Sequence, residues 1–372
     1  MSIIKKPFYY GGVVQNDHFC NRVKEIKELQ NDMDTGLNIL LYAPRRFGKT
    51  SLVLKSVKAT KYKYIFLDFM SIVDEEEFIN EYFNAITKSF DTTTDKVIKF
   101  VKDVLKIRPN VNVEFDINGM PTFGLNFKHN ESKSVLKEVL DIPYQYALHN
   151  DEKIVVVFDE FQEIINLNIE DKLRSSIQHH GDTVSYIFLG SKKSIMTNLF
   201  FDKSKSFYKS VKHLPIDKIN YEEWYKYIQN GFSDFDKKID IKDIDTILSI
   251  SNGFPYYTQQ IANELFNSTL KKVDEKMVQA AIESILSKEE DLFLNEWHNL
   301  SQNQKKALKL LIKNDGLNIY TKEVLNDFNF TSSSLKKAVE GLLQKDMIDI
   351  KQGQYYLQDP LLYHYFVTCL FK

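Results

Sequence analysis

The stretch LYAPRRFGKTSLV, residues 41–53, decides how the rest of the chain is read. An apolar run stops at Ala43-Pro44, passes Arg45, Arg46, Phe47 and Gly48, and resumes as Lys49-Thr50-Ser51 at the start of a helical pattern. The spacing fits a phosphate loop: Ala or Gly, four residues, Gly-Lys, then Ser or Thr. In such a loop backbone N–H groups wrap a phosphate at a helix N-terminus, where the helix dipole favours negative charge. Lys49 would reach the β- and γ-phosphates, and the Thr50 hydroxyl would ligate Mg²⁺. Residues 43–51 are the candidate cradle.

Outward from the loop, the first half alternates strand and helix. NILLYA (38–43) reads as a buried strand and TSLVLKSVKAT (50–60) as the helix after it. KYIFLDFM (63–70), KIVVVFDE (153–160) and VSYIFLGS (184–191) are further short apolar runs, and VKHLPI (211–216) is a candidate fifth. A helical stretch runs from Glu75 to about Phe90. Such runs belong in a parallel sheet covered on both faces. The run ending in Asp159-Glu160 supplies what the loop lacks: Asp159 can hold the Mg²⁺ shell and Glu160 can polarise the attacking water. Glu163, one turn on, is the next candidate base. Ser191 closes its strand and could sense the γ-phosphate or align water; a serine there is equally an ordinary turn former.

Between these strands PNVNVEFDINGMPTFGLNF (109–127) alternates apolar and polar residues around Asn118-Gly119, a hairpin. A two-residue loop sets Phe115 against Thr122. A three-residue loop, Asn118–Met120, sets Phe115 against Phe123 and Val113 against Leu125, one apolar face throughout, and is the preferred register. Both a hairpin packed on the domain edge and a partner-binding arm remain open.

After Pro215 the pattern is helical to about Trp297, centred on SNGFPYYTQQIANELF (251–266). A helix closed by Gly316 follows, then TKEVLNDF (321–328) and TSSSLKKAVEGLLQKDMI (331–348), each opened by an N-cap Thr. DMIDIKQGQYYLQDP (346–360) has a strand–turn–strand pattern, and three helices with such a wing make a winged helix-turn-helix.

The 372 residues are too many for one ordinary core, and 43% hydrophobic content supports two or three. Lys and Arg number 49 and Asp and Glu 51, so no global basic field attracts nucleic acid or anionic membrane. Cys20 and Cys369 stand near opposite ends and suggest no disulfide framework. No signal-peptide core or membrane-length apolar run is present, so a soluble cytoplasmic protein is expected. The eight histidines show no metal-ligand spacing, and His179-His180 reads as a helix end. Only five arginines occur, and three of them, Arg22, Arg45 and Arg46, fall in nucleotide motifs. Arg108 is expected to position the hairpin.

As a set, these segments resemble the AAA+-related P-loop ATPases of the STAND class, in particular the archaeal-type ATPase family, which also occurs widely in bacteria. FCNRVKEI (19–26) is similar to the family's hhGRExE element, with Arg22 and Glu25 matching and Asn21 in place of Gly. APRRFGKTSL resembles its Pro-Arg-Arg phosphate loop, VVVFDEFQEI its acidic strand, YIFLGSKKSIM its sensor strand and NGFP (252–255) its lid element. The resemblance implies an α/β P-loop core in strand order 5-1-4-3-2 (1–214, with hairpin insertion 109–128), a helical lid (215–298) and a winged helix (299–372). It implies that Arg22 lies near the base and ribose, and that Pro255 packs on the adenine.

The expected function is a Mg²⁺-dependent ATPase acting as a nucleotide-driven switch on a protein or DNA partner. One alternative is a winged-helix DNA-binding regulator in which ATP binding is structural; another is a non-hydrolysing scaffold. Relatives often complete the site with a neighbour's arginine, which makes an oligomer possible and Arg174 the candidate.

Overall fold

The computed structural model describes residues 6–14, 18–90, 110–115, 121–128 and 131–371. Arg108 and the expected turn Asn118–Met120 lie outside these residues. The chain divides into two compact units, one of residues 22–217 and one of 218–372 together with the residues before Arg22.

In the first unit, strands β1 (Ile39–Tyr42) and β2 (Lys63–Asp68) precede a hairpin of β3 (Asn110–Phe115) and β4 (Pro121–Asn126). Strands β5 (Ile154–Asp159), β6 (Val184–Gly190) and the short β7 (Lys212–His213) follow. Five of them form one parallel sheet in the order β2-β5-β6-β1-β7. Counted in chain order within that sheet, this is 5-1-4-3-2. β5 and β6 are buried along their whole length, which is why their sequences are apolar without alternation. The order puts the ends of β1, β5 and β6 side by side, with β1 at the switch point where an open α/β sheet forms its binding crevice. Ala43 N–H donates to Gly190 O at 3.3 Å, tying the start of the loop to the end of β6. Gly190 also admits the helix Lys193–Phe201: a Cβ there would lie 2.5 Å from Met196 Sδ.

The hairpin corrects the expected register. Val113 faces Phe123, Val111 faces Leu125 and Phe115 faces Pro121, two residues from the preferred pairing and one from the alternative. Since the side-chain period is two, the two-residue slip keeps the same apolar face. The cause lies outside the hairpin, on the helix Glu75–Ser89. Leu125 N–H donates to Asn80 Oδ1 at 2.7 Å and Phe123 N–H to Asn84 Oδ1 at 3.3 Å. Four helical residues rise about 6 Å, close to the span of two strand residues, so the two asparagines match alternate N–H groups of β4. Phe123 and Leu125 are thereby buried in the core, as the packed-hairpin reading expects.

The second unit is helical from Tyr221 to Tyr365, interrupted by a wing of β8 (Ile348–Lys351) and β9 (Gln354–Leu357). Gln352 and Gly353 both have positive φ (52° and 83°), the two-residue turn that a tight hairpin favours. Gly316 is obligatory in a different way: at φ 65° a Cβ would fall 1.8 Å from Tyr355 O on the wing. Thr331 caps its helix through Ser334 N–H, whereas Thr321 occupies its cap position without a side-chain bond. Phe8 inserts among Tyr227, Phe232 and Phe266, at ring distances of 5.8, 5.5 and 6.0 Å. No helix among the described residues is long and apolar enough to cross a membrane.

Candidate functional site

The loop leaves β1 through Ala43 and enters the helix Lys49–Lys58, with Arg46 and Gly48 in left-handed backbone (φ 63° and 81°). Lys49 is buried, and its Nζ donates to Ala43 O at 2.8 Å and Pro44 O at 3.1 Å. Burial holds its pKa below the ordinary lysine range. The Glu160 and Asp159 charges oppose that shift, and Arg45 adds to it. Thr50 Oγ1 donates to Asp159 Oδ2 at 2.6 Å, so the two expected Mg²⁺ ligands meet. Asp159 is also buried, and burial raises its pKa against the bonds from Thr50 and from Glu160 N–H.

Glu160 turns the chain out of β5 with φ 49°, an uncommon conformation for a non-glycine residue. Its Oε2 accepts from Ser191 Oγ at 2.8 Å and from Gln162 Nε2. Gln162 Oε1 in turn accepts from Ser191 N–H at 3.2 Å. Glu163, the reserve base, is ion-paired to Lys192 at 2.9 Å.

Arg22 is buried behind the loop. Its guanidinium donates to Asp217 O at 2.9 Å, to Glu25 at 3.1 Å and to Phe47 O at 3.5 Å, and lies 5.5 Å from the Phe47 ring centre. It ties the loop to the start of the helix Val23–Asp34 and to the exit of β7. Asn21 and Arg22 both have positive φ (45° and 66°), so Asn, the residue that best replaces glycine there, fits its position. Arg45 and Arg46 are exposed, and Ser51 is buried on the helix.

The structure thus brings Lys49, Thr50, Asp159, Glu160 and Ser191 together. Arg174 is not joined to them by any hydrogen bond: its Nη1 donates along its own helix to Gln178 at 3.5 Å. Pro255 belongs to the other unit, where it is the first residue of the helix Pro255–Ser268, after Gly253 at φ 68°. His180 is a core residue between Asp141 (3.1 Å) and Tyr186 (2.8 Å). Among the described residues no group of three or more His, Cys, Asp or Glu could hold a metal ion. Gln162 escaped the sequence reading; its only local signal is an amide among the apolar residues that follow Asp159-Glu160.

A family model described as an ATPase domain predominantly from Archaea matches residues 19–261, and one described as a probable winged helix domain matches 291–368. The Walker-type ATPase PABY2304 of Pyrococcus abyssi superposes with a TM-score of 0.64 at 16% identity, covering 94% of this chain and 96% of that one. The Aeropyrum pernix ORC2 protein, in ADPNP–ADP complexes, gives 0.56 at 13% identity, covering 93% of each chain. These likenesses support the fold, a P-loop parallel-sheet core with a C-terminal winged helix. No curated protein matches the sequence.

Proposed function

The chain belongs to the family of ATPase domains found predominantly in Archaea, and from that premise we propose that it binds and hydrolyses ATP as a switch acting on a protein or DNA partner. The observation that carries this reading is the Thr50–Asp159 contact at 2.6 Å, with Glu160 adjoining and Lys49 buried beside them. Lys49 would exchange the Ala43 and Pro44 carbonyls for phosphate oxygens, which need no rearrangement of the helix that carries it. Glu160, with one carboxylate oxygen held, would take a proton from the attacking water. Thr50 and Asp159 form an all-oxygen pair of the kind a hard cation takes, and the buried Asp159 charge calls for one. Magnesium there would neutralise and polarise the phosphates.

Calorimetric titration with Mg²⁺–ATP tests this. Lys49→Ala should lose most of the affinity; parental affinity in Lys49→Ala would refute the site. DNA as the partner is favoured by one observation: Ser332, Ser333, Lys336 and Lys337 are exposed on the winged helix. Duplex binding whose affinity does not fall with salt would exclude that reading.

A further inference from the structure

Gln162 is fully buried, yet both ends of its amide are used within the candidate site. Nε2 donates to Glu160 Oε2 and, at 3.4 Å, to Ser191 Oγ, and Oε1 accepts from Ser191 N–H. Burying an amide costs free energy that only such bonds offset, so an apolar side chain would serve the core alone at least as well. The backbone that presents it is fixed on the preceding residue. Phe161 packs against Phe188 at 4.6 Å and against Phe69 and Phe207 at 5.5 Å each. The result is asymmetric: Glu160 Oε2 receives two donors, while Oε1 receives none from the described residues.

We propose that Gln162 is the positioning residue for Glu160. It bridges the ends of β5 and β6 and clamps one carboxylate oxygen, so that the other is aimed at the attacking water. This rests on the hydrolysis proposed above. Its effect is confined to the chemical step, because Gln162 makes no hydrogen bond to residues 43–51, where the phosphates would lie.

Single-turnover hydrolysis and ATP affinity, measured on the full chain, test it. Gln162→Met keeps the volume and removes the donors; the rate should fall about ten- to a hundredfold with affinity unchanged. In a Glu160→Gln background the same substitution should cost nothing further, because the residue acts only through Glu160. Gln162→Glu, which keeps the acceptor for Ser191 N–H and removes the donor, provides a second variant should the first misfold, and should also lose rate. An unchanged or faster rate overturns the inference, as does a further loss in the Glu160→Gln background, which would mark a structural role. A parent that binds ATP without turning it over removes the proposed hydrolysis and this inference together. A parent that turns over beside equally fast Gln162 variants removes the inference alone.

Discussion

Strand β6 connects two polar clusters of similar make-up, one near its start and one just past its end. At the start, His180 is 1% exposed, both of its ring nitrogens are partnered by Tyr186 and Asp141, and it stacks on Tyr144 at 5.0 Å. Burial pushes the Tyr186 hydroxyl far above its ordinary pKa. Past the end, Ser191 and Gln162 hold a Glu160 that stays partly exposed and keeps one oxygen unbonded among the described residues. An acid, an imidazole and a hydroxyl in a chain resemble a proton relay, but His180 and Tyr186 are buried and only Asp141, at the edge, is partly exposed. Pairing of buried polar groups serves stability, whereas open α/β sheets take ligands at the carboxyl ends of their strands, where Glu160 stands.

The largest expected effect separates the two clusters most sharply. Glu160→Gln should keep ATP affinity and lose about 10²–10⁴ in single-turnover rate, equivalent to roughly 3–5 kcal/mol. Parental turnover in that protein would place the base elsewhere, and Glu163 would first have to leave Lys192. The matching change in the cluster at the start of β6, His180→Ala, should cost about 1–3 kcal/mol of stability, chiefly by removing the imidazole partner of the buried Tyr186 hydroxyl. Turnover of its folded fraction should stay within about twofold of the parent. Urea unfolding and single-turnover assays on one preparation decide; a large rate loss in soundly folded protein would erase the distinction drawn here. The smallest effect belongs to the exposed loop arginines. Replacing Arg45 and Arg46 together by Lys should weaken ATP binding only about two- to tenfold, since charge survives and forked donation is lost. Unchanged affinity and turnover would remove both arginines from any role in holding the nucleotide.

Much of this was legible before any coordinates. The phosphate loop, the acidic strand end, the fifth strand in VKHLPI and the strand–turn–strand pattern of 346–360 are local patterns, each set by neighbours within a few residues. Alternation in the hairpin correctly indicated which residues share a face. It could not indicate their register, because a pattern of period two looks the same after a slip of two residues.

What the sequence by itself determined is therefore most of the elements and most of the groups that meet at the candidate site: Lys49, Thr50, Asp159, Glu160 and Ser191. Tertiary structure decided which groups are free to act. Asn80 and Asn84 chose the hairpin register from a helix 45 and 39 residues away. Asp217 occupied Arg22 across 195 residues, and Gln162 found Ser191 across 29. A hydrogen-bonding group shows its capacity in its residue type, but the partner that uses up that capacity is fixed only when distant segments are packed together.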